Sequence, residues 1–265
     1  MSSQIFRTFL KIEKRLRFVI SAFLIGLLFI FSSFFEFNAA WVFVPAFILL
    51  AYFLTYFSGL EGIKKIEWLT LFLMPVLFSV SFYLFFHLFP IRWLTRVPFI
   101  TVYIVSFYAI SLTSNIFNVG VEKNLQLHRA AFSVNYFYQS LIFFIVCNVL
   151  LSFKANFFFN GLFVFLAVIP LSLQLLWTVH LEEKLSKDLL RYSLFNAMIM
   201  GEIAMLMSFV PLKSTLLSLF LTTCYYSISG ATYHFIDQRL YKNVVKEYMI
   251  VFIVVSVLTV LSITW

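Results

Sequence analysis

Nine apolar runs, each close to the length of a bilayer crossing, divide this chain. They cover roughly 18–35, 39–57, 68–90, 97–117, 131–153, 157–180, 192–210, 214–235 and 248–265. A helix needs about 20 mostly apolar residues to cross ~30 Å of hydrocarbon. Inside lipid the backbone has no water to bond to, so such runs fold as helices. The predicted fold class is therefore all-α: a polytopic transmembrane helical bundle of about nine spans arranged in hairpins. Composition agrees, with 63% hydrophobic and 11% charged residues and a mean hydropathy of +1.00, where a soluble domain has roughly 25% charged. Residues 1–17 are expected to form a basic cytoplasmic segment and 18–265 one transmembrane domain. The first run, FVISAFLIGLLFIFSSFF, follows basic residues as a signal peptide core would. It is longer than the roughly 7–15 residues of such a core, so a retained anchor is expected.

Charge sets the expected orientation. Of 19 Lys and Arg residues, only Arg92, Arg96, Lys154 and Lys213 fall in the alternate connections that include EFN, KAN and LK. All the others lie at the N-terminus or in the remaining connections. Lys and Arg accumulate on the cytoplasmic side, which places the N-terminus inside and the C-terminus outside; the arginines of IRWLTR are the local violation. The net charge of +8 and pI near 9.5 would suit nucleic acid. These basic residues are instead scattered in short runs between spans, so no nucleic-acid partner is expected.

The basic connections share a pattern of an acid flanked by apolar residues: IEKRL from Ile12, LEGIKKI from Leu60, VEKNL from Val121, LEEKL from Leu181 and IDQRL from Ile236. In the last four the acids are Glu61, Glu122, Glu182 and Asp237, separated by 61, 60 and 55 residues. That is two spans per period, which either a parallel duplication or a plain series of hairpins produces. Apolar residues four apart, as in Leu181, Leu185 and Leu189 or Ile236, Leu240 and Val244, form one helical stripe. The joins are thus expected to be helical extensions at the cytoplasmic headgroups, with Lys and Arg reaching lipid phosphates.

Candidate chemistry is sparse. Glu202, in SLFNAMIMGEIAMLMSF, lies about ten residues from either end of its run. A carboxylate at the bilayer centre costs about 2.5 kcal/mol or more, so it is expected to face the bundle interior. There it pins helices together, or lines a proton-coupled or ligand site together with Asn148 and Gln174. His87, His128, His180 and His234 show no HExxH spacing. His180 and His234 share the cytoplasmic side with Glu182, Glu183 and Asp237. Cys147 and Cys224 lie within apolar runs and are expected to be inert. No metal and no cofactor is expected.

EEKLSK at Glu182 departs from the EExxxR motif of CAAX-type intramembrane proteases, because Lys187 stands in place of the arginine. The nine-span topology resembles that of UbiA-type prenyltransferases. The joins SGLEGIKKIE and EEKLSKD lack the aspartate motifs of that family, so no catalytic residue carries over. The stretch LTSNIFNVGVEKNLQLHRAAFSVNYF, residues 112–137, is similar to segments of uncharacterised multipass bacterial membrane proteins, which implies no activity. Its Asn115, Asn118, Asn124, His128 and Arg129 are candidates for a polar cluster at the inner mouth of two spans. The chain has 37 phenylalanines, only 7 glycines and no GxxxG. Tightly crossed membrane helices favour small residues, so loose packing is expected, with lipid or an acyl chain between helices.

The expected function is that of a noncatalytic membrane protein that binds or moves a lipid-like or small hydrophobic substrate. Two alternatives are a lipid-modifying enzyme with a cytoplasmic-side site and a membrane scaffold. An enzyme would gather several of Glu61, Glu122, His128, Glu182, His180, His234 and Asp237 around one cytoplasmic cavity. A transporter would line a midplane passage with Glu202, Asn148 and Gln174. Expected partners are membrane lipids, especially anionic headgroups on the cytoplasmic side, and other membrane proteins. The expected location is the cell membrane, as in a bacterial inner membrane.

Overall fold

The computed structural model describes residues 13–59, 68–90, 92–118, 125–181 and 185–263. Among these residues there are nine α-helices, one in each apolar run, a 3-10 turn at Phe37–Ala39 and no strand. The helices are α1 (Lys14–Ser32), α2 (Ala40–Ser58), α3 (Trp68–Phe86), α4 (Trp93–Asn118), α5 (Leu125–Ser152), α6 (Phe157–Trp177), α7 (Lys187–Met207), α8 (Ser214–Ile236) and α9 (Lys242–Leu261). Seven are long and apolar enough to cross a membrane. The other two are α3, whose apolar stretch Thr70–Phe86 is shorter, and α8, which carries Ser or Thr at 214, 215, 218, 222, 223, 227, 229 and 232.

Helix ends depart from the apolar runs for electrostatic and local reasons. Helices α5, α7 and α9 each begin several residues ahead of the run. Their first turns carry Arg129, Lys187, Arg191, Lys242 and Lys246. Ser186 starts α7 by accepting a hydrogen bond from the Leu189 N–H at 3.3 Å, and Asn156 starts α6 by accepting from Phe159 at 3.1 Å; such caps satisfy first-turn donors.

The continuous stripes expected through two of the joins do not form. Leu181 and Gln238 take left-handed backbones, with φ of 49° and 57°. The Leu181 N–H bonds back to the Trp177 carbonyl at 3.0 Å, and the Arg239 N–H to the His234 carbonyl at 2.9 Å. These are helix-terminating αL and Schellman patterns. Apolar spacing of four is blind to them, because the stop is a backbone event.

The chain divides into two compact units, Met1–Asn135 and Tyr136–Trp265, with the boundary inside α5. In the first unit α1, α2, α3 and α4 pack in a closed ring, each on its neighbours, with α4 returning to α1. The centre of the ring is aromatic. Phe29, Phe47, Phe78, Phe86 and Tyr103, drawn from all four helices, are fully buried. Phe29 stacks on Tyr103 at 4.5 Å between ring centroids and meets Phe86 edge-on at 5.5 Å. Offset and edge-to-face pairs of this kind add about 0.5–1.5 kcal/mol each beyond burial. Part of the phenylalanine content is therefore packed core, and the centre of this unit is not loosely packed as expected, while Phe23, Phe31 and Phe53 among others are exposed.

The same unit holds one of the two arginines of IRWLTR in specific contacts. Arg96 lies 4.5 Å from the Phe34 ring centroid and 5.6 Å from that of Trp93, and it donates to the Ser33 carbonyl at 3.1 Å. That carbonyl follows the last residue of α1, where a cation meets the negative end of the helix dipole.

In the second unit the most extensive pairing is α6 against α7, followed by α8 against α9 and α7 against α8. The first pair crosses at two glycines. A Cβ on Gly161 would lie 2.9 Å from the Gly201 carbonyl oxygen, and one on Gly201 would lie 3.2 Å from that of Gly161. The buried side of α7 is a small-residue stripe of Ser193, Ala197, Gly201 and Ala204. Asn160 reaches across to the Ser208 hydroxyl at 3.1 Å. Close backbone approach is thus present without GxxxG, through small residues four apart. At the periphery, α9 buries only Tyr248 and Thr259.

Candidate functional site

The left-handed stops at Leu181 and Gln238 turn the chain away where α6 and α8 end, and α7 begins beside them. These ends surround a cavity of about 680 Å³, within the ~300–1,000 Å³ range of small-molecule sites. Leu176, Trp177, Leu189, Tyr192, Phe235 and Ile236 make its walls. His180, Ser186, Asp188 and Gln238 supply its polar groups. Trp177 is almost completely buried, whereas His180, Asp188 and Gln238 are exposed. The cavity therefore has a buried apolar floor, Leu176 and Trp177, and a mouth at which polar groups stand beside the exposed Phe235.

Charge at the mouth is mixed and solvated. Asp188 pairs with Arg191 at 3.2 Å, both side chains 76% exposed, and such surface pairs contribute roughly 0–1 kcal/mol. Asp237 pairs with Arg239 at 3.5 Å. Lys187 and Lys242 are exposed on the adjoining first turns.

Of the acid and histidine candidates for one cytoplasmic cavity, only His180 lines this one among the described residues. His234 is turned elsewhere, against Tyr233 and Tyr248 at 5.4 and 6.1 Å between ring centroids. Asp237 neighbours the lining residues in sequence without lining the cavity. In the first unit His128 sits edge-on to Phe117 at 5.8 Å, and Arg129 is exposed. Asn118 is buried and donates to the Gly59 carbonyl at 3.0 Å, closing the end of α2. Glu61, Glu122, Asn124, Glu182 and Glu183 lie outside the described residues. Among the described residues, no group of three or more His, Cys, Asp or Glu is placed to hold a metal ion. Cys147 and Cys224 are buried free thiols.

The three intramembrane candidates have separate surroundings. Gln174 is buried and accepts a hydrogen bond from Gln139, whose amide also donates to the Leu171 carbonyl at 3.1 Å and whose oxygen accepts from the Tyr225 hydroxyl at 3.1 Å. Asn148 is buried and donates within its own helix, to the Phe144 carbonyl at 3.1 Å. Glu202 is exposed, not turned into the bundle, and it is not central in its helix. Because α7 starts at Lys187, Glu202 lies much nearer the Met207 end.

Sequence reasoning passed over Trp177, Asp188, Tyr192 and Gln238 in the cavity, and Gln139 in the polar core. Gln139 had a signal, since a mid-span amide needs a partner. The cavity residues had none, because ordinary helix-end residues acquire meaning only when three helix ends converge.

Long apolar helices packed through aromatic and small-residue contacts, with a cavity opening at their ends, define a multi-pass helical membrane protein. The chain belongs to the DUF5656 family, described as a protein of unknown function, which matches residues 59–262. The similarity expected from residues 112–137, to a family without an assigned activity, is borne out, and it extends far beyond that stretch. Neither a curated protein nor a solved structure matches the chain.

Proposed function

We propose that this protein binds a lipid-like amphipathic molecule in the cavity at the ends of α6, α7 and α8. The apolar tail would lie along Trp177, Leu189 and Phe235, and the headgroup at His180 and Gln238. The observation that supports this reading is the buried apolar floor of the cavity at Leu176 and Trp177 beneath an exposed mouth that carries His180, Asp188 and Gln238. The surrounding Lys187, Arg191, Arg239 and Lys242 favour an anionic headgroup, each basic group near a membrane surface adding about 1 kcal/mol. They also favour a cytoplasmic location for this end of the helices, in keeping with the N-terminus inside, nine spans and the C-terminus outside. Catalysis is not the favoured reading, since His180, Asp188 and Tyr192 are the only titratable side chains lining the cavity among the described residues.

Binding of a fluorescent-chain phosphatidylglycerol to the purified full chain tests the proposal. Filling the cavity with Leu189→Trp is expected to weaken binding about tenfold, the scale of one lost apolar side-chain contact. Helical circular dichroism should be unchanged. Equal binding by wild type and Leu189→Trp, with both folded, overturns the proposal.

A further inference from the structure

Helix α7 has two faces of different character. One packs its small residues on α6. The other presents Phe195, Met198 and Leu206, which are 56–69% exposed, with Glu202 exposed among them. The spacing of 195, 198, 202 and 206 is three, four and four residues, which keeps them on one helix face. No hydrogen bond or ion pair of Glu202 is present among the described residues.

Glu202 lies five residues before the end of α7, or about 7.5 Å at 1.5 Å per residue. Leu206 lies on the same face between it and that end. A carboxylate has too short a stem to reach past it to the headgroups, unlike Lys or Arg. Left against acyl chains it carries the penalty of an intramembrane acid.

A second copy of this chain does not supply the missing partner. Two α7 seams meeting symmetrically would set Glu202 against Glu202, which is repulsive. Every Lys and Arg in the described helices falls within the first five positions of its helix. Among them Arg96 is already held by Phe34, Trp93 and the Ser33 carbonyl.

We propose that the exposed seam of α7 docks a transmembrane helix of another membrane protein, one that carries a Lys or Arg facing Glu202. The flanking Phe195, Met198 and Leu206 pack against that helix, and the charge pair selects it. A polar residue in an otherwise apolar seam specifies partner and register in this way.

The test uses the full chain, donor-labelled, in phosphatidylcholine–phosphatidylglycerol vesicles with acceptor-labelled single-span Leu/Ala peptides. The peptides carry Lys, Leu or Glu about a turn and a half from one end. The Lys peptide is expected to associate about tenfold more tightly than the Leu peptide, the upper range of a polar contact between membrane helices. Glu202→Gln should cut that advantage to about twofold, and Glu202→Lys should transfer it to the Glu peptide. Glu202 is exposed, so these variants leave the core intact. Equal association of the Lys and Leu peptides with wild type overturns the proposal in favour of a lipid-facing surface. Energy transfer between copies of the chain that Glu202→Gln abolishes overturns it in favour of self-association.

Discussion

Lys154, Leu181 and Gln238 take left-handed backbones at helix ends, positions where glycine is the usual occupant. A non-glycine residue there gives up roughly 1–2 kcal/mol. Lys154 is exposed and lies at the end of α5, so Lys154→Gly is expected to stabilise the protein by about 1 kcal/mol. Chemical denaturation in detergent followed by circular dichroism measures this, and no gain would contradict the strain argument. Gly230 is the opposite case. A Cβ there would run into the hydroxyls of Tyr136 and Tyr248, and Tyr136 donates to the Tyr226 carbonyl on the same helix. Gly230→Ala is expected to cost about 1–3 kcal/mol through overpacking, read in the same denaturation assay. Nothing local to Gly230 announces this role, because the two tyrosines come from α5 and α9, remote in sequence.

At the scale of elements, apolar length located each helix and failed at helix ends. Lipid forces every span to be long and apolar, whereas a helix end depends on caps and left-handed residues. Polar pairing inside the second unit illustrates the same split. Gln174 was recognisable as a buried amide in need of a partner, but Gln139 and Tyr225 became its network only once α5, α6 and α8 met. Gln139→Leu should cost about 1–3 kcal/mol, because it removes the hydrogen bonds that join Gln139 to Gln174 and Tyr225 in the core. The double variant Gln139→Leu/Gln174→Leu should recover part of that loss. A double variant as unstable as the sum of the single ones would show that the two glutamines act independently.

For the molecule as a whole, the test is which side of the membrane each connection faces. Cys147 and Cys224 are buried, so a cysteine placed at an exposed connection is the accessible thiol. In intact cells, Lys154→Cys and Lys213→Cys should react with a membrane-impermeant maleimide. Lys242→Cys should react only after the membrane is broken. Labelling of Lys242→Cys in intact cells would reverse the orientation, and with it the side on which the cavity opens.

The amino-acid sequence alone determined the membrane class, the all-helical fold and the place of each helix, since the bilayer as solvent leaves one backbone solution for each long apolar run. It also showed an acid at 202. The tertiary structure alone decided which helix faces meet, that Glu202 points outward, and that three helix ends enclose a cavity. These helices are apolar nearly all round, and lipid tails are as apolar as a protein interior. Hydrophobicity therefore cannot mark the buried side, which here is selected by small residues, stacked rings and paired amides.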